Sequence, residues 1–506
     1  MPEERKSLLY HLEPIAKKIP SVAKPKGHVH FRTKLLWTFS VLAIYFFLGN
    51  VPIYGLAPNY IDIFASYRAI MGGRSGSLIH LGIGPLVTGS IIMQLFVGAR
   101  IIKLDLTRPD DRRVYQTVQR LVMVLMIILE AVPQVFGYLR PSSELIASLG
   151  LGGARAIIIL QLILGGLIIM WLDEIVTKWG LGSGISLFIL AGVSSAIFTG
   201  TFNWIPVDPT TPVSVLNPPS GVLPKTIYIL RHSSISDLIN GGGLERIMFG
   251  YPNSLIAFIT TFIIFVIVVY AEGTRVMIPL SHARVRGIRA SYPIRLLYPS
   301  NIPVILISAL LADLNAIGYI LWSKFGTWWF AGFRPGSTTP TMGFLWYLNG
   351  PRGLAEWLLP LIDPRYSAYL YGHEWWHAII RVIVYMTFMV LGSVLFSVLW
   401  VESTGMSPRD IARQIVAGGL QIPGFRTTEK SIAMFFERYI PAVTVLGGAI
   451  VGLLAAFAHI MGTVGNVSGT GVLLAVSIAI RYSEILAREQ LAEMHPLLRR
   501  FIVGEE

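Results

Sequence analysis

The sequence predicts an all-α polytopic membrane protein with ten transmembrane helices in two pseudo-symmetric, inverted halves. Three observations lead there. First, the 506 residues are 53% hydrophobic and 14% charged, with a mean hydropathy of +0.62, which is too apolar for a soluble protein of this length. Second, ten apolar stretches reach about 18 to 25 residues, the length that crosses ~30 Å of hydrocarbon as a helix. Third, when those stretches are threaded in alternation, 27 lysines and arginines fall on one side of the membrane and 10 on the other, with Arg100, Arg120, Arg155 and Arg381 inside spans. The basic side faces the cytoplasm, and both termini with it. Cysteine is absent, which excludes disulfide frameworks and thiolate chemistry.

Taken in order, the spans fall near residues 33–51, 75–102, 114–138, 154–172, 183–200, 254–272, 301–322, 377–401, 439–460 and 463–481. The first thirty residues are basic and amphipathic and lack the short apolar core of a cleavable signal peptide. The second span is unusual. Its neighbourhood, Ala65 to Ile102, is interrupted at Gly72 and Gly73 and then carries glycines at 76, 82, 84, 89 and 98 and a proline at 85. Interrupted backbone at membrane depth is stable only when packed in protein or lining a watery cavity, so this segment is predicted to sit centrally, beside a path that something crosses.

Residues 1–200 hold spans one to five and residues 254–482 hold spans six to ten, with a cytoplasmic tail at 483–506. GLGSGISLF from Gly180 and GNVSGTGVLLA from Gly465 each open an apolar helix, after the fourth and the ninth span. With five spans per half those helices run in opposite senses, as inverted repeats require. Chance pairing of glycine and serine accounts for so short an echo equally well. The outer loops at 201–253 and 323–376 read as caps with short helices. The inner loops at 273–300 and 402–438 are basic. Either positive-inside topology alone explains them, or they dock something anionic such as ribosomal RNA, whose phosphates arginine and lysine neutralise.

HEWWH, His373 to His377, is the one formal catalytic motif. Two histidines at i and i+4 with a glutamate between them form the zinc-protease pattern. It stands at a span edge, where Trp375 and Trp376 serve as interfacial anchors, and no convincing third ligand follows in sequence. Glu130 and Asp313 are carboxylates within spans, a costly placement that needs an interior partner or cavity. Proton-coupled transport would use them, and so would a packed polar contact between helices. Arg155 and Arg381 lie near enough to span ends to snorkel.

GIGPLVTGSIIMQL from Gly82, LDEIVTKWGLGSGISLFI from Leu172, YPIRLLYPSNIPVIL from Tyr292, GFRTTEK from Gly424 and SGTGVLLAVSI from Ser468 resemble the SecY family, the large subunit of the Sec protein-conducting channel, in wording closest to the archaeal type. The likeness runs in order from FRTKLLWT at Phe31 to the tail at Pro496. It implies two halves that open like a clamshell, an hourglass pore and a short re-entrant plug helix.

Carried over by position, the resemblance places the plug at Ala65, Ser66, Tyr67, Arg68, Ala69, Ile70, Met71, Gly72, Gly73 and Arg74. It places the apolar pore ring on Ile83, Val87, Ile185, Ile189, Ile305 and Leu474. Branched apolar side chains at a constriction exclude ions by dewetting, yet make no fixed bonds and yield to a passing peptide. The family's lateral gate falls on Thr88, Gln119 and Glu130, with Asp313 where asparagine is usual. Arg284, Arg286 and Arg426 match basic positions that face the ribosome.

The resemblance implies a non-enzymatic channel of the plasma membrane, without catalytic residue, cofactor or metal. It passes unfolded secretory chains and releases apolar segments into lipid. Its implied partners are a SecE-type (gamma) and a beta-type small membrane subunit, the ribosome, signal peptides and nascent chains, and membrane lipid. A proton-coupled secondary transporter of a small solute is the alternative, since it shares inverted repeats and buried carboxylates.

Overall fold

The computed structural model describes residues 9–27, 29–58, 68, 71–98, 101–102, 104, 109–208, 210–282, 289–298, 302–334, 337, 339–423 and 428–494. Among these, nine helices are long and apolar enough to cross a membrane, and Gly84–Val97 is a shorter apolar helix. The spans of the sequence reading correspond to helices Phe31–Asn50, Gly84–Gly98, Pro109–Gly137, Ser143–Trp179, Gly184–Phe202, Leu255–Gly273, Ile302–Phe325, Trp375–Ser403, Ile440–Met461 and Gly469–Met494. They are called here the first- to tenth-span helices.

Two boundaries differ from expectation. The second-span helix begins at Gly84 and not at Ser75, because residues 71–83 form turns in place of a helix. The fourth-span helix is much longer than expected and runs through a break at Gly150, where φ is 70°.

The chain divides into two compact units, Met1–Ser195 with Gly336–Thr338 and Leu474–Glu506, and Ala196–Pro335 with Thr339–Leu473. In the first unit the third-span helix packs closely against glycines of its neighbours. A Cβ on Gly89 would approach the Met123 backbone to 3.1 Å, and one on Gly166 would meet the Ile127 side chain at 2.8 Å. Small residues at such contacts let helix backbones approach without any aqueous driving force. The N-terminal helix Leu9–Ala16 lies against the same third-span helix, with Leu9, Val114 and Val118 in one buried cluster.

In the second unit the eighth- and ninth-span helices meet through Gly448 and Gly452. A Cβ on the first would reach Ser397 Oγ at 2.4 Å, and one on the second the Met389 carbonyl at 2.7 Å. The segment 201–253 carries helices Val222–His232, Ile235–Ile239 and Gly243–Phe249. The segment 323–376 carries short helical turns and an antiparallel pair, β3 (Gly332–Phe333) with β4 (Pro340–Met342).

An all-α fold omits, besides the β3–β4 pair, a second and larger sheet. Residues 273–300, expected as a basic loop, form a hairpin of β1 (Arg275–His282) and β2 (Arg289–Arg295), in register from Arg275↔Arg295 to Ser281↔Arg289. A third strand, β5 (Leu420–Gln421), pairs with the end of β1 through Ser281↔Gln421. Ile278, Leu280 and Ile294 of this sheet share a core with Ile411, Ile415 and Phe436 of helices Pro408–Ala417 and Glu429–Glu437. Among the described residues, much of these two segments is therefore strand and helix and not open loop.

Candidate functional site

The segment ahead of the second-span helix is held by contacts from distant parts of the first unit. Gly82 sits at φ 61°, and a Cβ there would meet the Met71 carbonyl at 2.4 Å and the Gly73 nitrogen at 2.7 Å, so no other residue fits. The Ile83 amide donates to the Met71 carbonyl at 2.9 Å. The Tyr45 hydroxyl donates to the Gly72 carbonyl, and its ring stacks on Phe188 with centroids 4.8 Å apart. Gly192 leaves room for Gly72, whose Cα would lie 3.2 Å from a Cβ at 192.

Of the expected plug residues, Arg68, Met71, Gly72, Gly73 and Arg74 are described, while Ala65, Ser66, Tyr67, Ala69 and Ile70 lie outside the described residues. Arg68 is buried, with its guanidinium donating to the His80 carbonyl and to Tyr138 Oη at 3.0 Å. Arg74 reaches Asn50 Oδ1 at 2.7 Å. Sequence reasoning missed Tyr45, Phe188, His80 and Tyr138. A hydroxyl or imidazole placed among apolar neighbours was the signal that could have found Tyr45, His80 and Tyr138; Phe188 carried none.

Of the six expected ring residues, Ile83, Val87, Ile189, Ile305 and Leu474 are buried and Ile185 is half-buried. Ile83 immediately precedes the second-span helix, which carries Val87. Ile185 opens the fifth-span helix, and its amide donates to Asp173 Oδ1 at 2.8 Å. Five of the six belong to the first unit, and Ile305 belongs to the second.

The expected gate residues are placed less uniformly. The Thr88 hydroxyl donates to the Gly84 carbonyl of its own helix at 2.9 Å. Gln119 is half-buried on the third-span helix. Glu130 directs Oε2 at the first turn of the second-span helix, 3.4 Å from where a Cβ of Gly84 would stand, a position where free backbone N–H groups favour negative charge. Asp313 is exposed on the seventh-span helix of the second unit. Two residues on, Asn315 forms a reciprocal amide pair with Asn349 at 2.7 and 2.8 Å, which sequence reasoning also missed. Arg284, Arg286 and Arg426 lie outside the described residues.

The zinc-protease pattern does not survive in three dimensions. The helix begins at Trp375, so His373 lies before it and the two histidines do not share a helical face. His373 Nε2 contacts the Thr341 carbonyl at 3.1 Å and its ring stacks on Trp346, while His377 Nδ1 pairs with the Tyr347 hydroxyl. Burial holds the His373 pKa below the usual histidine range. No group of three possible metal ligands occurs among the described residues.

Arg381 corrects another expectation, since it does not snorkel. It is buried, donating from Nε to the Asn349 carbonyl at 2.7 Å and from a terminal nitrogen to the Gly350 carbonyl at 3.3 Å, with Glu356 at 3.7 Å. The fixed fork of guanidinium donors matches a ring of loop carbonyls, which a hydrated end does not offer. Arg155 stays half-exposed with its guanidinium 4.9 Å from the Phe136 ring centroid.

A family model described as SecY matches residues 77–483, and one described as the plug domain of Sec61p matches residues 44–76. The protein translocase subunit SecY of Archaeoglobus fulgidus is 46% identical over 506 residues, covering 99% of each chain. A solved structure described as that of a protein conducting channel superposes with a TM-score of 0.71 at 38% identity, over 96% of this chain and 98% of the other. Sec61 in a canine ribosome-channel complex from the endoplasmic reticulum gives 0.68 at 37% identity, over the same shares. These relatives are channel subunits and not enzymes, and they lend no support to the small-solute transporter. Matched from the first-span helix into the tenth by one pair of family models, and along nearly its whole length by an archaeal relative, the chain belongs to the SecY family.

Proposed function

We propose that the chain is the central subunit of a protein translocation channel, passing unfolded secretory polypeptides across the membrane and releasing transmembrane segments sideways into lipid. The observation that carries this reading is the end-to-end match to protein translocase subunits, with the interrupted segment at 65–83 falling across the plug match and the start of the SecY match. Within it, Ile83, Val87, Ile185, Ile189, Ile305 and Leu474 form the apolar seal. Ala65 to Arg74 form the plug. Thr88, Gln119, Glu130 and Asp313 line the lateral gate. Burial of five of the six seal residues is the physical support, since a dewetting barrier needs apolar side chains withdrawn from water.

Both termini lie in the cytoplasm of a plasma membrane, by the bias of basic residues. Arg284, Arg286 and Arg426, on the basic segments 273–300 and 402–438 of the same side, would then meet a ribosome. The ribosome-bound Sec61 relative supports that partner. SecE-type and beta-type small subunits complete the complex.

The test is reconstitution in vesicles with those subunits. A secretory precursor should become protease-protected only when the chain is present. Proton-gradient-driven uptake of a small solute, without precursor protection, would overturn the reading.

A further inference from the structure

The fourth-span helix ends in four side chains that all grip one non-helical strap of the N-terminal segment. Trp171 Nε1 donates to the Pro20 carbonyl at 3.1 Å, Lys178 Nζ to the Val22 carbonyl, and Trp179 Nε1 to the Ala23 carbonyl at 2.9 Å. In return the Val22 amide donates to Glu174 Oε2 at 2.8 Å. Positions 171, 174 and 178 recur at the spacing of a single helix face. Each bond goes to the strap's main chain, so the face reads backbone and not side chains.

Glu174 has a second task. Its Oε1 takes Arg120 Nε of the third-span helix at 2.6 Å, and its Oε2 takes Lys178 Nζ at 2.8 Å. The three side chains are 13–19% exposed, so their attraction is less screened than that of a surface pair. Upstream, the strap continues from the helix that packs on the third span, where the Tyr10 hydroxyl bonds Asp111 and Arg113 pairs with Glu13 at 3.1 Å. One carboxylate thus joins the strap and the third- and fourth-span helices. Without its charge, Arg120 and Lys178 face each other with no negative partner between them and repel.

We propose that Glu174 is a positioning residue for channel opening: through Arg120 it fixes the third-span helix beside Gln119, and residues 20–23 form the latch that closes over this junction. The inference rests on the assignment of Gln119 to the lateral gate. Neutralising Glu174 frees that helix, lowers the barrier to sideways release and relaxes discrimination against weakly apolar signal segments.

The test uses the full chain with its small subunits in vesicles. Insertion of a strongly and of a marginally apolar signal segment is scored beside hydrogen exchange of the strap amides. Glu174→Gln keeps the side chain's size and an acceptor oxygen but removes the charge. It should speed strap exchange and raise insertion of the marginal segment several-fold, with the strong segment unchanged. Adding Arg120→Met relieves the charge imbalance but leaves the third-span helix untethered, so it should return strap exchange toward wild type while insertion of the marginal segment stays raised.

Unchanged strap exchange would overturn the proposal. So would faster exchange with the two segments inserted in their wild-type ratio, because the hub would then be structural only, or a double variant that inserts the marginal segment at the wild-type level, because the Arg120 tether would then not matter. Gln119→Leu separates this from the gate assignment. If Gln119→Leu leaves marginal insertion untouched while Glu174→Gln shifts it, Gln119 is not the gate residue and the latch acts through another face of the same helix. If only Gln119→Leu has an effect, the latch fails and the gate assignment stands.

Discussion

Arg68 carries its charge into the interior of the first unit with its donors matched by the His80 carbonyl and the Tyr138 hydroxyl. A buried guanidinium is tolerable only while hydrogen-bonded, so the hydroxyl of Tyr138 matters here more than its ring. Tyr138→Phe keeps the ring and removes the acceptor. We expect it to loosen the turns after Arg68 by about 1–3 kcal/mol, seen as faster tryptic cleavage after the exposed Arg74; equal cleavage rates would show the bond to be dispensable. Asp313 is the opposite case. Its position was legible from the seventh-span motif, but its surroundings were not, because exposure is decided by neighbours far away in sequence. Exposed as it is, it should act as a passive replacement for asparagine. Insertion of a marginally apolar signal segment by wild type and by Asp313→Asn should follow one profile from about pH 5 to about pH 8, and divergent profiles would show that its carboxyl titrates during gating.

Lys225 anchors the 201–253 segment, only 1% exposed, with Nζ donating to the Gly250 carbonyl at 2.7 Å. Burial pushes its pKa down from 10.5 to about 8. Below the folded value both folded and unfolded forms hold the proton, and the full cost of the buried charge is present. Between the two values the folded form has shed its proton while the unfolded form retains it, so the local stability rises with pH. Hydrogen-exchange protection factors of Val222–His232 should therefore climb between about pH 8 and about pH 10 in wild type and stay flat in Lys225→Met; parallel curves would reject the assignment. The three-stranded sheet shows why some elements escape a reading of sequence. Pro279 and Pro293 interrupt both hairpin strands, and a proline within a run argues against a strand unless an edge is free. The basic positions of the sequence reading, which lie outside the described residues, suggest a charge-reversal test. Reversing Arg286 and Arg426 should weaken ribosome binding in a salt-dependent way while leaving insertion of the chain intact. Wild-type binding after both changes would leave these positions purely topological.

Over the molecule as a whole, the membrane-spanning pattern was legible because hydropathy sums over some twenty residues and tolerates local error. What depends on one distant contact was not, as with Arg381 under its loop carbonyls or the second-span helix beginning at Gly84. The proposed seal would be a property of several side chains together. Replacing two or more of Ile83, Val87, Ile185, Ile189, Ile305 and Leu474 by serine should wet the pore and give a resting ion leak in planar bilayers, and unchanged conductance would reject this ring. Position 82 adds a consequence that a library of all single substitutions would record. Ile83 and Leu86 are side chains that an apolar neighbour of similar volume can replace at modest cost, whereas at Gly82 a single added methyl group meets the Met71 carbonyl. In such a map the lowest tolerance would fall one residue before the seal, on a residue with no side chain, and would trace the corner on which the seal is mounted.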